Sequence, residues 1–282
     1  MPRRGGQNRS SAVMQQRQEA RDSLDDFPTP PWATRACIAH VLARYQKTIW
    51  AMTARGLEDL SATDPCCNRG HMIRPLAEAF GRTRGIDVHD YTCDPLLAEV
   101  GGAPFQQDGI GDFLMPGWET LFARAAESDF FFLNPPFRLA EAFIQRALQL
   151  ARVGVAVFVR SAFAEGHERY ATLFRDLPPT VVAQHAERVI LHKGVLRDPA
   201  KHYWKPEANN GRGGWVLPST STSYSWLVWM KGRVAEGGAQ TAMVWIPPCR
   251  KRFERAGDYP ANPDQKGVFT PPAPAGQGGL EL

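Results

Sequence analysis

The sequence has no long apolar run. Its most hydrophobic stretches, Phe130–Leu133 and residues 153–159, fall far short of the ~20 residues a membrane-spanning helix needs. Cysteine is scarce. Cys37, Cys66, Cys67, Cys93 and Cys249 are odd in number, two are adjacent, and none forms a Cys-x-x-Cys pair. That pattern argues against a disulfide framework and a structural zinc site, so no metal is expected and a reducing cytoplasm fits best. The opening residues, Met-Pro-Arg-Arg-Gly-Gly-Gln, lack the apolar centre of a signal peptide. Charge of one sign is also in short supply: 33 Lys and Arg against 29 Asp and Glu leave only +4 over 282 residues. That is too little to identify a nucleic-acid binder by itself. No internal repeat is present.

What remains is globular: 43% of residues are hydrophobic and 22% charged. This is enough to bury one large core. Residues 1–26 are polar and read as a flexible basic tail. The Phe27-Pro28-Thr29-Pro30-Pro31-Trp32 element must be extended, because each proline also restricts its predecessor. A helical stripe follows over 33–45.

From residue 57 short apolar strands alternate with amphipathic segments. Strands are expected over 57–63, 83–88, 104–107, 129–133, 153–160 and 181–191, then 224–230 and 242–246. Helices are expected over 71–80, 118–126, 140–152 and 165–177. This alternation predicts an α/β fold with a mainly parallel, doubly wound sheet. In such sheets ligands sit at the carboxyl ends of the strands, where the unusual residues of this chain cluster.

The most specific of these is Asn134-Pro135-Pro136-Phe137, directly after the buried strand. Two prolines stiffen the backbone and remove amide donors, which leaves the Asn134 side-chain oxygen and the Pro135 carbonyl as aimed acceptors. Two convergent acceptors suit an amino group with two hydrogens, and Phe137 offers a face for a planar base. The bland alternative is a stiff turn whose Asn caps the next helix.

Asn-Pro-Pro-Phe resembles the catalytic motif of amino-group methyltransferases that use S-adenosylmethionine, above all DNA N6-adenine methyltransferases. The resemblance runs colinearly over about residues 27–250 and implies the Rossmann-like class I methyltransferase fold. Asp64-Pro65-Cys66-Cys67-Asn68-Arg69-Gly70 resembles that family's cofactor loop, with Asn68 in place of its first glycine. Asn tolerates the left-handed conformation this position needs, and Gly70 permits close backbone approach. The resemblance further implies that Asp87 takes the cofactor's ribose hydroxyls. It puts Asp112 and Phe113 at the cofactor's adenine, and Thr29-Pro30 at its carboxylate. Asp90 and Asp108 are rival carboxylates. Residues 158–175 and 223–229 resemble segments of phage and prophage adenine methyltransferases.

The substrate side is expected in residues 188–215. Here Arg188, Lys193, Arg197, Lys201, Lys205 and Arg212 face only Asp198 and Glu207, so this segment carries the whole +4 of the chain. Tyr203, Trp204 and Trp215 are interleaved with the cations. Basic groups neutralise phosphates and aromatics stack on or wedge beside bases, so double-stranded DNA is the expected partner. The alternative is a solvated loop. His185, His192 and His202 lack metal-ligand spacing.

The domain reading is therefore a tail (1–26), a cofactor-binding catalytic domain (27–192), a target-recognition insertion (193–222), the last sheet strands (223–250) and a Pro/Gly-rich tail (251–282). The expected activity is methylation of a flipped-out adenine. RNA adenine, the cytosine amine, a protein glutamine, or an inactive nucleic-acid-binding relative remain alternatives. A carbon-5 cytosine mechanism is disfavoured, because no thiol accompanies Asn134.

Overall fold

The computed structural model describes residues 25–234 and 240–272. The parts of the two expected tails at 1–24 and 273–282 lie outside the described residues.

Eight strands form one sheet: β1 (Ser61–Asp64), β2 (Arg82–Asp87), β3 (Gly109–Ile110), β4 (Phe130–Leu133), β5 (Gly154–Arg160), β6 (Val181–His185), β7 (Tyr224–Met230) and β8 (Ala242–Ile246). Their order is β3-β2-β1-β4-β5-β7-β6-β8. All neighbours are parallel except β7, which runs antiparallel to both β5 and β6. The sheet is Rossmann-like and doubly wound, and its strand order reverses beside β1. Both faces are covered. Phe130 and Phe132 of β4 enter one apolar core, while Phe131 and Leu133 enter the other. A strand apolar at every position is what burial on two faces demands.

Several elements depart from the expected bounds, each for a local reason. The helix expected over 71–80 is only α3 (Ile73–Ala77), since Pro75 is tolerated only in a first helical turn. The expected strand at 104–107 does not join the sheet. Phe105 there is a plug: added Cβ atoms on Gly70 and Gly85 would lie 2.3 and 2.5 Å from its ring. The helix expected over 165–177 is a single turn, His167–Arg169, running into a wider turn at Tyr170–Phe174.

The 193–222 insertion contains a hairpin, Tyr203–Lys205 paired with Gly214–Val216. Its turn uses left-handed Asn209 and Asn210 (φ 55° and 59°). The hairpin does not stand alone. Trp204 N–H donates to the Asp264 carbonyl (2.8 Å), and Asn262 Nδ2 donates to the Leu196 carbonyl (2.8 Å). Trp204 also packs on Trp215 and Phe269.

The described part of 251–282 is therefore no tail. Residues up to 272 back the insertion, and Asp258 is tied into the catalytic domain. Arg35, on α1 (Pro31–His40), makes paired bonds to Asp258 (2.7 and 2.9 Å) and to Glu78 (2.7 and 2.8 Å).

Candidate active site

The carboxyl ends of β1, β2 and β4 open into one cleft, enclosing about 890 Å³ of empty space with its mouth included. Register brings the ends together, since Asp64 of β1 pairs with Gly85 of β2 and Thr63 with Phe131 of β4. Thr29, Asp64, Cys66, Asn68, Asp87, Asp112, Phe113, Asn134 and Pro136 all line this cleft. Residues separated by over a hundred positions in sequence thus share one wall.

The cofactor-like loop follows β1. Asn68 adopts the left-handed conformation expected of it (φ 51°). Its backbone N–H donates to Asp87 Oδ2 at 2.8 Å, and His89 N–H donates to Asp87 Oδ1 at 3.0 Å. A carboxylate accepts about four bonds, so two amides fix the Asp87 carboxylate while leaving lone pairs for the cleft. Burial raises its pKa. Asp64 accepts the Cys66 N–H at 3.1 Å; burial first, and the neighbouring Asp87 charge with it, push its pKa up to about 7. Burial also drives the Cys66 and Cys67 thiols well above the ordinary thiol range, so neither is an activated nucleophile.

Gly70 and Pro30 lie behind the wall. Gly70 has a positive φ of 80° and is backed by Phe105, so its missing side chain makes room for that ring. Asp112 is exposed at the rim and accepts the Leu114 N–H at 2.9 Å. Phe113 is buried edge-on against Trp118.

At the Asn-Pro-Pro-Phe motif, Asn134 Nδ2 donates to the Phe27 carbonyl at 2.6 Å. A carbonyl can only accept, so this bond settles the amide's orientation and leaves Oδ1 as its acceptor. Pro135 is buried and Phe137 half-buried. The Phe137 ring touches Phe27 (5.2 Å between centroids), and the Arg160 guanidinium lies 4.1 Å from its centre. A planar cation thus already stacks on the ring that was expected to offer a free face.

Sequence reasoning missed one wall of the cleft. Asp25 and Asp26, assigned to the tail, form a strap over it. Asp25 Oδ2 accepts the Phe137 N–H at 2.8 Å. Asp26 accepts Asn68 Nδ2 at 2.7 Å and Arg69 Nη1 at 2.9 Å. The strap therefore joins the loop after β1 to the motif after β4. The only signal for it was position, immediately ahead of the Phe-Pro-Thr-Pro element.

His71 was also missed, although it directly follows Gly70. It lines the cleft at 2% exposure. Neither of its ring nitrogens makes a hydrogen bond of ordinary geometry among the described residues, and the same holds for the buried Thr29 hydroxyl. Burial, aided by Arg69, lowers the His71 pKa to about 3, so the imidazole is neutral near pH 7. Buried polar atoms are normally satisfied. The unsatisfied Thr29 hydroxyl in this wall fits a ligand that carries its own polar groups.

The expected DNA-contacting residues divide into two sets. Arg197 is held inside the insertion by Asp264 and by His192 Nδ1 (2.8 Å), and lies 5.1 Å from the Tyr203 ring centre. Tyr203 is buried, its hydroxyl accepting the Asp198 N–H. Arg188 clamps the insertion's base through the Ser221 carbonyl at 2.6 Å. Trp204 belongs to the insertion's aromatic cluster. Lys193, Lys201, Lys205 and Arg212 are exposed. No cluster of metal-ligating side chains occurs among the described residues, and no helix there is long and apolar enough to cross a membrane.

No protein-family model and no curated protein matches the sequence. Similar solved structures include a Listeria monocytogenes protein assigned to the class I S-adenosylmethionine-dependent methyltransferases (11% identity, TM-score 0.45). That alignment covers 77% of this chain and 65% of the other. The chain thus spans just under two thirds of the Listeria protein's length. A Pyrococcus horikoshii protein assigned as an RNA methyltransferase aligns over 73% of this chain and 86% of its own (12% identity, TM-score 0.41). The magnesium protoporphyrin IX methyltransferase of Synechocystis, solved with S-adenosylhomocysteine, aligns over 67% of this chain and 83% of its own (15% identity, TM-score 0.31).

Proposed function

We propose that the cleft binds S-adenosylmethionine and that the chain methylates the exocyclic amine of a flipped-out adenine in double-stranded DNA. The observation that carries this reading is the meeting of Asn134 with Thr29, Asp64, Asn68 and Asp87 in one cleft. When bound, S-adenosylmethionine supplies an electrophilic methyl on a sulfonium sulfur. Asp87 holds the ribose diol with the lone pairs its two backbone donors leave open. Thr29 and His71 meet the polar methionine end, and Phe113 packs on the cofactor's adenine beside Asp112.

The target amine is a poor nucleophile because its lone pair is delocalised into the ring. Asn134 Oδ1 and the Pro135 carbonyl accept its two N–H bonds, favour a tetrahedral nitrogen and aim the lone pair at the methyl. Transfer would form the N–C bond at the expense of the cofactor's S–C bond, with the thioether as leaving group and the surplus amine proton passing to solvent. Arg160 yields the Phe137 face to the extruded base, whose unstacking costs a few kcal/mol. Lys193, Lys201, Lys205 and Arg212 contact phosphates.

The test is incubation with labelled cofactor and mixed-sequence DNA, followed by nucleoside mass spectrometry. N6-methyladenine is the expected product. Methylcytosine, or label only in RNA or protein, would overturn the substrate assignment. Failure of the cofactor to bind in calorimetry would overturn the whole reading. Neutralising Lys193, Lys201 and Lys205 together is expected to flatten the salt dependence of DNA binding. An unchanged slope returns the insertion to a solvated role.

A further inference from the structure

Outside residues 188–215 the chain's charges sum to zero, yet they are not evenly spread. The cleft wall is acidic, with Asp25, Asp26, Asp64, Asp87 and Asp112. The opposite edge of the sheet is basic. There Arg55, Arg82, Arg84, Arg124 and Arg152 line a second pocket of about 840 Å³, mouth included, against only Glu127 and Asp129.

These arginines come from four separate places. Arg82 opens β2 and Arg84 follows on the same face of the strand. Arg55 follows the helix Gln46–Thr53, Arg124 lies in the helix Ala123–Ala126, and Arg152 precedes β5. The fold alone brings them together, about 17 Å from the cleft along the five residue steps of β2.

We propose that this pocket binds a phosphate-rich anion. Its own acids are already engaged. Asp129 accepts from Arg55 (3.0 Å) and from the Ser61 N–H and hydroxyl (2.9 and 3.0 Å). Glu127 faces Arg152 at 3.5 Å, and Arg84 pairs with Asp108 at 2.9 Å. The Arg82 and Arg124 side chains have no ion pair or hydrogen bond among the described residues, and both are exposed. With Asp108 counted, the pocket carries two surplus positive charges, the unengaged guanidinium forks of Arg82 and Arg124. Every cation in it is arginine rather than lysine, and the planar fork pairs with two phosphate oxygens at once. A ligand with several linked phosphates relieves the mutual repulsion of these cations in a way a single carboxylate does not. Such a ligand is either a nucleic-acid backbone or a free oligophosphate.

The test uses inorganic tripolyphosphate as the probe, titrated into the full-length protein by calorimetry at moderate salt. Saturable one-to-one binding is expected. The double variant Arg82→Gln/Arg124→Gln should weaken it at least about tenfold, and Arg82→Glu/Arg124→Glu should abolish it. A control pair outside both sites, the exposed Lys251→Gln/Lys266→Gln, should leave it unchanged. Both arginine positions are exposed, and melting curves coincident with the parent's verify folding. Absence of saturable binding, or equal loss in the lysine pair, overturns the proposal. Displacement of bound tripolyphosphate by duplex DNA assigns the site to a nucleic-acid backbone; lack of displacement assigns it to a free oligophosphate. Neither result depends on cofactor binding or methyl transfer.

Discussion

The Asn134 side chain donates to the carbonyl of Phe27, 107 residues earlier, at 2.6 Å. This bond joins the Pro-rich segment before the first helix to the Asn-Pro-Pro-Phe motif. It also determines which end of the amide faces the cleft. Asn134→Ala should therefore leave cofactor affinity within a few-fold of the parent and lower kcat by about 10²–10³ or more. Asn134→Asp keeps an acceptor but sets a carboxylate against the Phe27 carbonyl, and should lower both kcat and Tm. Single-turnover methylation and calorimetry measure the two effects separately. Retained turnover in Asn134→Ala would remove the role given to the motif.

Asp64 makes a pH prediction. Its folded-state pKa, about 7, exceeds its ordinary value of 3.8. The folded form therefore binds the proton more tightly than the unfolded chain. Its favourable contribution is complete below about pH 4 and is lost as pH rises towards 7. Asp64→Asn keeps an acceptor for the Cys66 N–H and removes the buried charge. In the cofactor-free protein it should raise stability at pH 8 by on the order of 2–4 kcal/mol. The gain should vanish near pH 4. Denaturant titrations at the two pH values check this, and an equal effect at both would contradict it.

Gly70 is constrained twice, by a φ of 80° and by the Phe105 ring. Gly70→Ala should cost about 2–4 kcal/mol, part from left-handed strain and part from overpacking. Pairing it with Phe105→Leu should recover only the packing part. Full recovery would mean that the backbone conformation carries no cost.

Arg35, 5% exposed, faces an Asp258 side chain with no exposure at all. Arg35→Met leaves Asp258 and Glu78 without their shared partner and should cost about 3–5 kcal/mol. The double variant Arg35→Met/Asp258→Leu should recover much of that loss. Thermal melts of the single and double variants measure the coupling.

The sheet was largely legible in the sequence, because β4, β5 and β7 are apolar at nearly every position and have few alternatives. β7 and β8 fall at the expected residues, 224–230 and 242–246. Asn134 was legible because it follows such a strand; Asp64 and Asp87 end the more polar β1 and β2 and were legible through the Asp-Pro loop and strand-end position that the resemblance marks. The strap was not. Asp25 and Asp26 have no periodicity and act through single long-range bonds, which composition reads as solubility. Short helices such as α3 failed for a related reason: they are held by tertiary packing and leave too few turns to show a period. The arginine pocket was hidden by summation, since a neutral total is compatible with opposite charges at opposite ends of a sheet.

The contacts of the Tyr203–Lys205 and Gly214–Val216 hairpin with residues 262–269 bear on how this insertion could be exchanged between related chains. The insertion occupies one stretch of sequence, but part of its support lies some sixty residues later. Grafting 193–222 alone would present Trp204 and Trp215 to a foreign support and leave Asn262 and Asp264 without partners. The transferable unit is two separated segments moved together, so a single crossover within 223–250 would yield hybrids with a mismatched arm and support.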